Sequence, residues 1–318
     1  MSSESDGVVE RFAVYGAGAM GCFFGATLAR GGYRVAMIAR GRHLVAIARD
    51  GIRVETPEGS FHAVPEVVTA SPADVGPVDA VVLTVKAWQV REAAAALRPM
   101  LSDHARVLPL QNGVEAAEHI EAVIGPSRSL IGLARIVCML TEPGVVRHVA
   151  LKPTIALGEL GGAPLSSGAQ ALATALQASG VTVEQPADMH AALWEKLLFL
   201  AALSGVGAVA RSTTGELRAC KETRRMVTQL MEEVYLVGRA NGVHLGHDSV
   251  DRALAILDGM SPESTTSMQR DIVDRKPSEL EAIIGVIERG GRAVGVETPV
   301  TRFVYGSLLL QEGRARNV

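Results

Sequence analysis

The stretch Phe12-Ala13-Val14-Tyr15-Gly16-Ala17-Gly18-Ala19-Met20-Gly21 runs directly into Cys22-Phe23-Phe24-Gly25-Ala26-Thr27-Leu28-Ala29. A short apolar run, three glycines at Gly-x-Gly-x-x-Gly spacing and a second apolar run read as strand, tight turn and helix. The spacing alone is weak evidence. Between a strand and a helix it becomes the fingerprint of a dinucleotide-binding turn. On that reading Gly16 permits the turn, Gly18 leaves the backbone open to a pyrophosphate, and Gly21 lets the helix pack close to the strand. Ala17, Ala19 and Met20 complete a loop whose N–H groups and helix dipole face the phosphates. The plain alternative is an ordinary glycine-rich turn.

The second strand, Arg34-Val35-Ala36-Met37-Ile38-Ala39, bears on which dinucleotide is bound. A site selective for NAD places Asp or Glu about 20 residues after the glycines, on the ribose 2′-hydroxyl. Here Arg40-Gly41-Arg42-His43 follows the strand, with no acid. A guanidinium binds a 2′-phosphate bidentately and stacks on adenine, whereas a carboxylate repels it. The expected cofactor is therefore NADP, as NADPH. Solvated surface arginines are the alternative.

Alternating strands and helices continue to about residue 187. Val78–Val85 and Ala105–Leu110 read as strands, and Gln89–Met100, Val114–Ile124 and Ser166–Ser179 as helices. Such alternation marks a parallel sheet covered on both faces. The runs Ser129–Leu140, Gly144–Val149 and Thr154–Leu157 lack helices between them and read as antiparallel strands added to the sheet. Val181–Val183 is a last short strand. After about Asp188 the chain reads as helical: Met189–Ala210, then Glu216–Ala240 with a break near Lys221, Asp248–Leu257, Glu279–Gly290 and Pro299–Gln311.

The fold class expected is α/β: a Rossmann-type doubly wound sheet with added antiparallel strands, followed by an all-helical C-terminal domain. The expected organisation is a disordered tail over residues 1–9, a nucleotide-binding domain over 10–187 and a helical substrate domain over 188–318. In such proteins ligands sit between the domains, at the carboxyl ends of the strands.

The bulk numbers exclude several function classes. A net charge of −3 gives no basic footprint for nucleic acid. Apolar residues make up 48% of the chain and aromatics 4%, so the core is built from Ala, Val, Leu and Ile. Cys22, Cys138 and Cys220 are odd in number and have no metal-ligand spacing, which fits unpaired thiols in a reducing compartment. No metal is expected, since His244, His247, Asp248 and Asp251 form no recognised ligand pattern. The polar, acidic start is unlike a signal peptide, and Leu197–Ala210 is too short to span a bilayer. A cytoplasmic protein is expected, with no membrane partner.

Several polar residues stand where chemistry is expected. Lys86, in Thr84-Val85-Lys86-Ala87-Trp88-Gln89-Val90, and Asn112, in Leu110-Gln111-Asn112-Gly113, each end a strand on the ligand side of the sheet. Asn-Gly is also a common turn dipeptide. Lys196, in Trp194-Glu195-Lys196-Leu197-Leu198, precedes an apolar segment. Desolvation suits such a lysine to general-acid work, but taken alone the residue favours a helix-surface lysine whose stem snorkels. Ser267 binds a carboxylate or begins a helix as its N-cap; Glu279 is a cleft acid or a first-turn dipole partner.

Taken together, these residues resemble the ketopantoate reductase (2-dehydropantoate 2-reductase) family over nearly the whole chain. The resemblance is carried by Gly16, Gly18, Gly21 and Arg40, by Lys86-Ala87-Trp88-Gln89-Val90 and Gln111-Asn112-Gly113, and by Trp194-Glu195-Lys196-Leu197, Gly215-Glu216-Leu217, Ser267-Met268 and Glu279. It implies NADPH-dependent reduction of a 2-oxo acid, 2-dehydropantoate foremost, to the 2-hydroxy acid, in pantothenate biosynthesis. It makes Lys196 the general acid, Glu279 the carboxylate that positions substrate and lysine, and Ser267 a substrate hydrogen-bonder. It puts Arg40 on the 2′-phosphate, Gln89 on the cofactor, and Lys86 and Asn112 around cofactor and substrate.

There is one departure. The family carries asparagines four and eight residues after the lysine, where this chain has Leu200 and Ser204. These substrate-facing positions point to a more apolar 2-oxo acid or a different pose. A different reductase substrate and a non-catalytic NADP(H)-binding protein are the alternative functions. The expected partner is a small-molecule substrate, with a homodimer left open.

Overall fold

A computed structural model describes residues 9–317. The tail read over residues 1–9 lies outside the described residues except for Val9, which is buried in the core. Contacts divide the chain into two units: residues up to Gln111 with Glu115–Met189, and Asn112–Val114 with His190–Val318.

The first unit runs β1 (Arg11–Tyr15), α1 (Ala19–Arg30), β2 (Arg34–Ile38), α2 (Gly41–Asp50), β3 (Ile52–Thr56), β4 (Gly59–Ala63), β5 (Val67–Thr69), β6 (Val78–Leu83), α3 (Val90–Leu97), β7 (Leu101–Pro109), α4 (Ala116–Ile124), β8 (Leu130–Glu142), β9 (Val145–Glu159), α5 (Ser167–Ala178) and β10 (Thr182–Glu184). Five strands form a parallel sheet in the order β5-β2-β1-β6-β7. Phe12 pairs with Val35 on one side and Ala80 on the other.

Alternate residues of β1 serve two cores. Phe12 and Val14 join the core that includes α1 and α5, whereas Ala13 and Tyr15 face the core of α3. Burial on both faces is why this strand reads as a continuous apolar run.

The antiparallel strands do not continue the edge of this sheet. They gather in a second, mixed sheet, ordered β10-β9-β3-β4 with β8 paired to β9. A single bridge, Val107 to Ser129, ties the two sheets. Helix α1 packs against both: Phe24 and Leu28 share one core with Val14 of the parallel sheet and with Val54, Ile155 and Leu157 of the mixed sheet. Residues Gly21 to Leu28 are accordingly all buried. Each large apolar side chain fully buried this way contributes about 1.5–3 kcal/mol.

The two runs expected at 144–149 and 154–157 are one strand, β9. The sequence looks broken because the pairing slips near Ala150, and Leu151 adopts a left-handed φ of 65°.

The helical part runs α6 (Met189–Ala210), α7 (Thr214–Ala219), α8 (Lys221–Ala240), α9 (Ser249–Gly259), α10 (Ser267–Val273), α11 (Val286–Val294) and α12 (Pro299–Arg316). A π turn over Glu281–Gly285 runs without a break into α11, so the single helix read over 279–290 is present, opens with a π segment and extends to Val294. The break expected near Lys221 falls at Cys220, whose backbone is extended. Thr213 and Glu216 cap the start of α7 reciprocally. Helix α6 is long and apolar enough to cross a membrane by composition alone, but 67% of that window is buried inside the protein.

Candidate active site

The glycine turn has the geometry a dinucleotide requires. Gly16 has φ 113°, and a Cβ there would stand 2.8 Å from the Thr84 backbone. A Cβ on Gly21 would fall 1.8 Å from the Gly16 carbonyl oxygen, so only glycine lets α1 begin this close to β1. A Cβ on Gly18 would meet nothing within 4 Å. The space over Gly18 is thus open, as approach of a phosphate demands.

Thr84 Oγ1 donates to the Gly16 carbonyl at 2.6 Å, and Gly16 N donates to Ile38 at 3.2 Å, which fixes the turn between neighbouring strands. Gly18 is the N-cap of α1, no side chain caps it, and the first turn has no acid. The exposed N–H groups of that turn and the helix dipole suit an anion. These features fit a dinucleotide.

The turn opens into a cleft of about 250 Å³ lined by Gly16, Ala17, Gly18, Ile38, Arg40, His43, Thr84, Lys86, Gln89 and Glu92 among others. Arg40 is exposed and caps the start of α2 in an extended conformation; α2 has no acid in its first turn. Lys86 is half-buried, and its backbone N–H donates to Gln89 Oε1 at 3.3 Å.

His43 and Glu92 are lining residues that the sequence reading missed. Glu92 lies three residues after Gln89 on a helical path, a spacing that puts both on one face. For His43 the sequence carries no comparable signal. Its Nδ1 accepts from Gly144 N at 3.4 Å, which places a lone ring proton on Nε2. Burial, and then the Arg42 charge, hold its pKa below the usual histidine value.

The second constellation lies in the helical unit. Asn112 Nδ2 donates to Glu279 Oε2 at 3.1 Å, joining positions 167 residues apart. Glu279 is buried. Gly113, at φ 101°, passes the π turn so closely that a Cβ would stand 2.7 Å from the Ala282 carbonyl oxygen. Ser278, next to Glu279, is held by Glu312: its N–H donates to both carboxylate oxygens at 3.1 and 3.0 Å, and its hydroxyl to Oε2 at 2.5 Å. Arg316 in turn bonds Glu312 and the Ser278 carbonyl.

Lys196 is half-buried on α6, and Leu200, one turn on, is half-buried too. Ser204, a further turn on, is fully buried with its hydroxyl unpartnered. Ser267 is half-buried at the first position of α10. It is not the N-cap: Thr266 is, with its hydroxyl accepting from Gln269 N at 3.2 Å. Gln111 is buried and donates to the Leu83 and Val85 carbonyls at 2.9 and 3.0 Å, so it ties strand ends together. Among the described residues, no group of His, Cys, Asp and Glu could hold a metal ion.

The parallel sheet and its glycine turn define a Rossmann-type dinucleotide-binding fold, and the family matches make it that of an oxidoreductase using a nicotinamide cofactor. The ketopantoate reductase PanE/ApbA family model matches residues 12–162, and its C-terminal counterpart matches residues 188–312. The chain belongs to the ketopantoate reductase family. A 2-dehydropantoate 2-reductase of Halobacterium salinarum is 29% identical, over 92% of this chain and 95% of its own. The crystal structure of a PanE/ApbA family ketopantoate reductase from Ralstonia eutropha JMP134 is 32% identical, covering 96% and 99% of the two chains with a TM-score of 0.87. D-mandelate dehydrogenase, solved with NADH and anilino(oxo)acetate, shares the fold at 24% identity and TM-score 0.87, over 96% and 99% of the chains. The chain is thus an oxidoreductase acting on a CH–OH group.

Proposed function

We propose that this protein reduces 2-dehydropantoate to pantoate with NADPH, in the cytoplasm. The observation that carries the reading is the Asn112–Glu279 hydrogen bond, which unites two polar residues that the family resemblance places at the substrate.

NADPH supplies the hydride when bound. The Gly16–Gly21 loop holds the pyrophosphate through its N–H groups, and Arg40 binds the 2′-phosphate, with Lys86 and Gln89 as further cofactor contacts. Lys196 Nζ gives its proton to the ketone oxygen and stabilises the alkoxide charge as it develops. Glu279, fixed by Asn112, orients the lysine and the substrate hydroxyl, and Ser267 hydrogen-bonds the substrate carboxylate.

The test follows nicotinamide absorbance with 2-dehydropantoate, comparing NADPH with NADH and wild type with Lys196→Ala. Turnover selective for NADPH is expected, with a fall in kcat of about 10²–10⁴-fold in the variant, the usual contribution of a general acid. Turnover unaffected by Lys196→Ala removes the lysine from its role.

Leu200 favours a second reading. It is apolar and half-buried one turn from Lys196, where it offers a substrate no hydrogen bond. A 2-oxo acid with an apolar side chain suits it better than a hydroxylated one. Faster turnover of 2-oxoisovalerate than of 2-dehydropantoate would select this reading.

A further inference from the structure

A cavity of about 540 Å³ lies in the first unit and shares no lining residue with the nucleotide cleft. The second half of α1, the turn joining β3 and β4, the slipped part of β9 and the segment before β10 line it, and it is open to solvent. It lies toward the opposite end of α1 from the glycine turn: Thr27 follows Gly18 by nine residues, roughly 14 Å along a helix. Its volume falls in the range of small-molecule pockets, roughly 300–1,000 Å³.

From this cavity we infer a second binding site, for a small organic acid: a carboxylate carried on an apolar, preferably aromatic, body.

Three observations support the site. First, the Arg30 guanidinium stacks on the Phe61 ring, 4.0 Å from its centroid, at the cavity wall. The stack fixes the plane of the fork, and no hydrogen bond or ion pair engages the Arg30 side chain among the described residues. A held guanidinium with unused donors is pre-organised for a carboxylate.

Second, Thr27 lines the same cavity and is only 4% exposed, yet its hydroxyl has no partner. A helical threonine commonly returns its hydroxyl to the carbonyl one turn back. Here the hydroxyl is left over and shielded in the wall, one turn before Arg30, and a turn about its χ1 would offer it as a donor to the same anion.

Third, the rest of the lining separates into charge at the mouth and apolar surface within. Lys152 joins Arg30 as an exposed cation against one exposed carboxylate, Glu58. Phe23 and Val181 are buried apolar walls. His148 adds no free donor, since Nε2 lies 2.6 Å from the Leu151 carbonyl oxygen and holds the left-handed turn at the rim. A bulged strand with a left-handed non-glycine residue beside a cavity is the kind of local strain that binding sites retain.

The test is calorimetric titration of the full-length protein with 3-phenylpropionate, 3-phenylpropan-1-ol and inorganic phosphate. 3-Phenylpropionate is expected to bind. The alcohol, which lacks the charge, and phosphate, which lacks the body, should each bind at least tenfold more weakly. Arg30→Gln should weaken 3-phenylpropionate at least tenfold and Thr27→Val severalfold. Arg30→Gln should keep wild-type turnover with 2-dehydropantoate, which shows the fold and active site intact.

Lys196→Ala separates this site from the substrate site and should leave 3-phenylpropionate affinity unchanged. Absence of binding, phosphate binding as tightly as the acid, or affinity that follows Lys196→Ala rather than Arg30→Gln each overturns the inference. Because the readout is binding at a cavity remote from the glycine turn, its failure leaves the reductase reading untouched, and failure of that reading leaves this site standing.

Discussion

Replacing Glu312 by alanine should destabilise the helical unit and damage the candidate active site together. Glu312 is only 7% exposed, and its carboxylate accepts from the Ser278 N–H, the Ser278 hydroxyl at 2.5 Å and Arg316 Nε at 2.6 Å. Truncation strands two buried donors, each costing about 1–3 kcal/mol. Arg316 is 28% exposed, so its share is screened and adds under about 1 kcal/mol. The expected loss is about 2–7 kcal/mol, read as a lower urea midpoint at constant slope.

Ser278 is next to Glu279 in the chain, so its release should also loosen the carboxylate that Asn112 grips. kcat for 2-dehydropantoate should fall while the KM for NADPH holds. Glu312→Gln keeps one acceptor oxygen and should recover part of both losses. A midpoint shift equivalent to less than about 1 kcal/mol for Glu312→Ala would refute the reasoning, because it would show that neither donor depends on the carboxylate.

Arg40→Ala should raise the KM for NADPH about tenfold to a hundredfold, the worth of a charge-assisted contact, while leaving that for NADH almost unmoved; equal effects on both would take Arg40 off the 2′-phosphate. Leu200→Asn should raise turnover of 2-dehydropantoate relative to 2-oxoisovalerate, and an unchanged ratio would show that position 200 does not set substrate preference. Thiol chemistry should single out Cys220. Burial pushes the Cys22 and Cys138 thiols up to about 12, whereas hydrogen bonds from Thr223 hold the exposed Cys220 below its usual value. Iodoacetamide at neutral pH should modify Cys220 first, with that labelling lost in Cys220→Ser; early labelling of Cys22 in the folded protein would contradict this.

The parts of the fold legible from sequence are those where local pattern and burial agree. Helix α6 runs over Met189–Ala210 as read, because a mostly apolar stretch of 22 residues is too long for one strand and a helix satisfies its backbone internally. The break between α7 and α8 was visible as well, and it falls at the extended Cys220.

Residues 41–69 were left unread for a physical reason. The signals there are short: Ile52 and Val54 are buried and alternate with Arg53 and Glu55 over only five residues, and α2 turns just Leu44 and Ile47 to the core. The split of β9 into two runs has the same kind of cause, since a bulge interrupts alternation without ending the strand.

In the site, the glycine turn was legible because Gly16 and Gly21 each answer a separate close approach and Gly18 leaves open space over the loop. The depth of α6 was not. Lys196, Leu200 and Ser204 share one face by spacing, but that face descends from half-buried to fully buried within two turns. Periodicity gives direction around a helix; it does not say how deep each turn lies.

Asn112–Val114 belongs by its contacts with the helices, although more than seventy residues of the sheet-bearing unit follow it in the chain. No single cut of the chain therefore keeps each unit's residues together. A fragment ending before His190 would carry Asn112 without Glu279, and the complementary fragment would carry the carboxylate without its amide. Chimeras that exchange the C-terminal half between family members should exchange this tripeptide with it. Otherwise they graft a new helical unit onto the old asparagine and test two changes at once.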